Sequence, residues 1–157
     1  MYAIRKWSVS RARFFNRMYQ SLEKILLALN SLWLKIGYDR VEKPITFIER
    51  HVKGFLFDCQ MCGQCVLSET GMACPMNCPK QLRNGPCGGV SAEGHCEVNP
   101  QMRCVWMEAW RGHQAMGSSN PMLRVQVPVD HRLKGRSSWL REVRCKRDEN
   151  FYGKGCE

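Results

Sequence analysis

At 157 residues the chain accommodates one domain with extensions and is too short for a (β/α)8 barrel, which needs about 250. A hydrophobic fraction of 44% fits a globular protein. The net charge of +10 sits at the ends: residues 1–22 hold Arg5, Lys6, Arg11, Arg13 and Arg17 with no acid, and residues 124–157 hold nine bases against five acids. Basic ends suit nucleic acid, a membrane surface or an acidic partner protein. Nucleic acid is disfavoured, because no zinc finger with paired histidines and no aromatic RNA-binding motif is present. No apolar core ending in a small-residue cleavage site marks a secretory signal. The Arg-rich start only faintly suggests an organellar transit peptide, and a cytoplasmic protein is expected.

Phe15, Met18, Leu22, Ile25, Leu29, Leu32 and Ile36 step by three and four, which predicts one long helix over 1–37 with a heptad seam. Leu26 and Trp33 widen the stripe, and Gly37 is a helix stop. Such a seam must lie on this chain's own core, on a partner or on a membrane surface. The apolar run ILLALNSLWL is broken by Asn30 and Ser31 and falls short of the roughly 20 residues of a transmembrane span. A second helix is expected in EKPITFIERHVKGFLF, with Pro44 in its first turn and Ile45, Ile48, Val52 and Phe55 at helical spacing. This helix delivers the chain to Cys59.

Residues 57–106 hold Cys59, Cys62, Cys65, Cys74, Cys78, Cys87, Cys96 and Cys104, eight of the ten cysteines. Glycine and proline are frequent between them, so loops with one or two helical turns are expected. The stretch is poor in aliphatic residues and is expected to need metal or cross-links to fold. QMRCVWMEAWR resumes helical spacing with Cys104 at its start, GSSNP is loose, LRVQVPVD reads as extended, and SSWLREVRC reads as a last helix with Ser137 or Ser138 as N-cap.

Cys59, Cys62 and Cys65 form C-x2-C-x2-C, the start of the bacterial iron–sulfur run. Cys74 and Cys78 are each followed by proline, which bends the chain away from a presented thiolate. Eight thiolates are two sets of four, the number that each [4Fe–4S] cubane takes. Zinc usually uses two separate C-x2-C knuckles, which fits the spacing poorly but stays open as the alternative. The spacing does not say which four cysteines would share a cluster. Cys145 and Cys156, apart in the tail, read as free thiols. His51, His95 and His113 read as surface or capping residues, with His95, next to Cys96, the strongest candidate ligand among them.

The segments CQMCGQCVLSETGMACPMNCPKQLRNGPCGG, GHCEVNPQMRCVW and VDHRLKGRSSWL together resemble the methylenetetrahydrofolate reductase C-terminal domain family over roughly residues 45–145. NGPCGG and ACPMNCPK are its specific signatures. The resemblance implies a cysteine-rich small subunit with two [4Fe–4S] clusters, held by the eight cysteines from Cys59 to Cys104. It would pass electrons to or from the flavin of a separate methylenetetrahydrofolate reductase catalytic subunit, and an acidic electron-donor protein is a further expected partner. Zinc is also described for the family, so a structural zinc module that stabilises the reductase is the alternative. The residues agree with an accessory role: GPCGG lacks the spacing of a dinucleotide loop, no catalytic carboxylate pair or Ser/His/Asp set stands out, and the radical C-x3-C-x2-C signature is absent. The expected fold is mainly α, with a loop-rich cysteine domain organised by metal clusters, a long N-terminal helix and an irregular basic C-terminal tail. Its parts are an amphipathic extension over 1–44, an iron–sulfur domain over 45–112 and, over 113–157, a tail wrapping the domain or a partner.

Overall fold

The computed structural model describes residues 2–117, 122 and 125–152, with side chains as far as residue 146. The loose GSSNP stretch, apart from Gly117, and Cys156 lie outside the described residues. The protein is mainly α, as expected. Among the described residues six helices run in the order α1 (Tyr2–Ser10), α2 (Ala12–Ala28), α3 (Asn30–Ile36), α4 (Tyr38–Phe57), α5 (Val105–Met116) and α6 (Ser138–Tyr152), with 3-10 turns at Pro75–Asn77 and His131–Leu133. No strand is found among the described residues; the antiparallel bridge His95–Arg103 stands alone.

The expected single helix over 1–37 is divided at Arg11 and at Leu29. The Ser10 hydroxyl donates to the Trp7 carbonyl at 2.7 Å, a back-bond that bends helices. Near Leu29 the Trp33 indole donates to the Leu26 carbonyl at 3.2 Å, inserting a side chain into the helical ladder. The bends let α1 lie on α4 and α5 while α2 lies on α5 and α6. They also rotate the seam. The face of α2 turned inward carries Ala12, Phe15 and Leu26, while Met18, Ile25, Leu32 and Ile36 of the expected stripe stay exposed. The N-terminal helices therefore pack on the chain's own core, with an apolar face left over.

Gly37, at φ +92°, ends α3 as expected, and α4 begins directly after it. Pro44 is thus inside α4 rather than in its first turn, and its missing N–H removes one bond of the ladder. The side chains that α4 buries are Val41, Glu49, Lys53 and Phe57, so two charges face inward. Phe47, Ile48, Val52 and Phe55 face outward, at 41–65% exposure.

Two hydrophobic clusters form the core. In one, Ala12, Phe15 and Phe57 meet Leu67, Met72 and Cys74; in the other, Val9 meets Ala73, Cys104, Val105, Trp106 and Ala109. Loop residues Met61, Val66, Leu67, Met72 and Ala73 are thus core residues, although the stretch is poor in aliphatic side chains. The segment 79–101 is different: most of it is exposed. Gly71 and Gly112 bring the loop against α5, where a Cβ on Gly112 would stand 2.0 Å from the Gly71 carbonyl oxygen.

Residues 125–130 carry no strand pairing. Side-chain amides hold them instead: Asn84 bonds both the N–H and the C=O of Gln126, and Gln64 accepts from the Asp130 N–H at 2.8 Å. The tail after them is not irregular, since α6 covers 138–152. Ser137 caps it, accepting from the Leu140 N–H at 3.2 Å.

Candidate metal centre

The chain leaves α4 through Asp58, in the left-handed region at φ +53°, and turns again at Met61 (φ +49°) and Gly63 (φ +76°). Non-glycine residues seldom adopt such angles, and a run of them coils the backbone tightly. Gly63 is required for a second reason: a Cβ there would lie 2.5 Å from the Leu133 carbonyl oxygen. The coil carries Cys59, Cys62 and Cys65 around one cavity, and Cys74 closes it from the loop that packs on α2 and α5. The cavity measures about 380 Å3, its open mouth included, and all four cysteines line it together with Met61, Met76, Arg83 and Arg136.

The thiols are electrostatically unequal. Cys59 is lowered to about 7 by the hydrogen bond from Cys74, helped by the Met61 N–H at 3.4 Å from its sulfur. Cys74 is pushed well up, by that same bond and by burial. Tyr19 of α2 donates its hydroxyl to the Cys65 sulfur at 3.2 Å. Burial and the neighbouring Cys65 push the Tyr19 phenol well up.

Two buried cations flank the four thiols. Lys53 is 1% exposed and donates to Glu49 at 2.8 Å and to Ser138 at 2.7 Å. Burial alone would depress its pKa, but the charges of Cys65, Tyr19 and Glu49 outweigh that and hold it well above the usual lysine range. Glu49 is in turn held by the Ser137 hydroxyl at 2.6 Å and the Ser138 hydroxyl at 2.5 Å. Arg83 is buried on another wall, 3.9 Å from the sulfurs of Cys62 and Met76 and 3.3 Å from the Gln64 carbonyl. Its Nε has no hydrogen-bond partner.

Cys78, Cys87, Cys96 and Cys104 are not among the residues lining this cavity. Cys78 and Cys104 border the core cluster of α1 and α5. Cys96 and Cys104 sit on one loop, whose backbone pairs Cys96 N–H with Met102 C=O and Cys104 N–H with Gly94 C=O. The Cys87 thiol faces Glu97 at 3.5 Å, and Glu97 also pairs with Lys80. Among the described residues, no three His, Cys, Asp or Glu side chains converge closely enough to grip one metal ion. His95 pairs with Glu93, His51 bonds the Phe47 carbonyl, and His113 is buried with an unpartnered Nδ1. Cys145 is buried on α6 and disulfide-bonded, which corrects its reading as a free thiol.

Tyr19, Glu49, Lys53 and Arg83 are the site residues that the sequence did not flag. Glu49 and Lys53 stand at i and i+4, which in a sequence is indistinguishable from an exposed ion pair. The capping serine ahead of α6 was the only legible part of their network.

These features define a class: a helical, cysteine-rich domain that presents four thiols around one cavity between buried cations. The chain belongs to the methylene-tetrahydrofolate reductase C-terminal family, whose model matches residues 38–132. No curated protein and no solved structure matches the chain. Among the described residues, no helix is long and apolar enough to cross a membrane.

Proposed function

We propose that this protein is the electron-transfer partner of a flavin-containing methylenetetrahydrofolate reductase, and that it holds two [4Fe–4S] clusters. The observation that carries the reading is the cavity walled by Cys59, Cys62, Cys65 and Cys74, set between Lys53 and Arg83. Four thiolates are the ligand set of one cubane. A single zinc also takes four thiolates, so metal and sulfide content decide between the two. The cluster and its thiolates carry negative charge, which two neighbouring cations offset. Cys78, Cys87, Cys96 and Cys104, which the structure does not gather around one cavity, would supply the second set of four.

When bound, such clusters supply one-electron steps. The chain's own residues do the rest. The coil from Asp58 to Cys65 fixes three ligands, and Met61 and Met76 limit water at the cavity wall. Arg83 and Lys53 supply fixed positive charge. Reduction of a methylene to a methyl group consumes two electrons, which a partner's flavin would collect singly from this chain. An acidic low-potential carrier protein is the donor class that the +10 charge favours. The outward stripe of Phe47, Ile48, Val52 and Phe55 on α4 is the docking face for the reductase, since α4 runs straight into Cys59 and the family takes its name from the reductase. A cytoplasmic location goes with this reading.

The test is iron, zinc and acid-labile sulfide on protein purified without oxygen together with its reductase. About eight iron and eight sulfide per chain are expected, four of each per cubane, and Cys62→Ala is expected to lose about half of each. One or two zinc without sulfide would replace this reading with a structural zinc module. Full iron and full activity in Cys62→Ala would remove Cys62 from the ligand set.

A further inference from the structure

The segment matched by the family, 38–132, does not contain every group in contact with the four-thiol cavity or its flanking charges. Tyr19 lies before it on α2, and Ser137, Ser138 and Trp139 lie after it at the start of α6. Tyr19, Ser138 and Trp139 converge on Lys53 or Cys65, and Ser137 bonds Glu49, the partner of Lys53. Lys53 Nζ stands 5.2 Å from the ring centres of both Tyr19 and Trp139, so the ammonium is held between two aromatic faces. Its bonds to Glu49 and Ser138 fix it there. With the Tyr19 ring packed against that fixed cation, the hydroxyl is aimed at the Cys65 sulfur, 3.2 Å away.

From this geometry we infer that Tyr19 is a positioning residue that sets the reduction potential of the group held by Cys59, Cys62, Cys65 and Cys74, with Lys53 fixing its ring. The inference rests on the cluster reading above. Hydrogen bonds and positive charge at a ligand sulfur favour whichever oxidation state holds more electron density there. Adding an electron increases that density, so a phenol donating to Cys65 stabilises the reduced form and raises the potential. Arg83 approaches Cys62 instead, but at 3.9 Å it makes the longer contact. The second set of cysteines has no tyrosine hydroxyl on any of its sulfurs among the described residues.

The experiment is a redox titration followed by electron paramagnetic resonance on the intact complex with the reductase. It compares wild type with Tyr19→Phe, which keeps the ring against Lys53, and with Tyr38→Phe, whose lost hydroxyl is bonded to Asn30. Tyr19→Phe is expected to retain its iron and sulfide while one of two transitions moves to a more negative potential and the other stays. Tyr38→Phe is expected to leave both unmoved. Two unmoved transitions in a fully loaded Tyr19→Phe would overturn the assignment. Loss of iron from Tyr19→Phe alone would also overturn it, making Tyr19 a folding residue. A wild-type complex with iron absent and no signal at all would remove the cluster reading itself, and this inference with it.

Discussion

Cys59 and Cys74 share a hydrogen bond and are pushed in opposite directions by it. The bond stabilises the Cys59 thiolate and keeps the Cys74 proton in place. Because the thiolate is the nucleophile, alkylation of Cys59 in the metal-free chain should rise through about pH 7 instead of the ordinary 9.0. Cys74 should stay unreactive across that range, its pKa being raised. Iodoacetamide labelling read by peptide mass spectrometry checks this, and equal rates for the two at pH 7 would contradict it. Nearby, Glu49 and Lys53 are each 1% exposed and satisfy one another. Glu49→Ala would leave Lys53 charged, buried and short of its anion, at a cost of about 3–5 kcal/mol. A chemical melt would show a large fall in midpoint. A fall under about 1 kcal/mol, the worth of an exposed pair, would mean that the pair is not buried in solution.

At the scale of elements, α4 departs most from its sequence pattern. Its apolar residues at 48, 52 and 55 are where a buried stripe would be expected, yet the helix turns Glu49 and Lys53 inward. The reason is local: Ser137, Ser138 and the Trp139 ring offer those two charges a complete set of partners, which no exposed position could match. The leftover apolar face has no covering element among the described residues. Ile48→Ser combined with Phe55→Ser should therefore change thermal stability by no more than about 0.5 kcal/mol for each exposed site. The same pair should sharply reduce co-purification with the reductase. A large loss of stability would instead show that this face is packed in the free chain. The three-way division of the N-terminal helix has a similar origin. One back-bonded serine and one inserted tryptophan indole redirect it, so that Phe15 and Leu26 reach the core while Ile25 does not.

Across the whole molecule, the cysteine stretch is two unlike halves. Residues 61–75 are anchored by Leu67, Met72 and Ala73 in the clusters that join α1, α2 and α5. Residues 79–101 are mostly exposed and add few residues to those clusters, Arg83 being the main buried side chain. Local opening follows the density of buried contacts. In the chain prepared without metal, brief proteolysis should thus cut first within 79–101, and the fragments would be read by mass spectrometry. A first cut between 61 and 75 would reverse this order.

Some of this was legible in the residue order alone. The family signatures, the helical class, Gly37 as a stop, Ser137 as a cap and Cys104 at the head of α5 all depend on neighbours within a few positions. Local hydrogen bonding and backbone sterics decide such features, and both can be read from short windows. The division of the cysteines could not be read that way. Cys74 lines a cavity with the triple of Cys59, Cys62 and Cys65, while Cys78, only four residues on, does not: after the 3-10 turn Pro75–Asn77 it packs on the other hydrophobic cluster. The layer around the thiols was equally hidden. Tyr19, Lys53 and Ser138 meet only because α2, α4 and α6 pack together, and contacts between residues so far apart in the chain are set by packing rather than by pattern. Sequence spacing marked these thiols as candidate metal ligands; tertiary structure decided which of them face one another and which charges surround them.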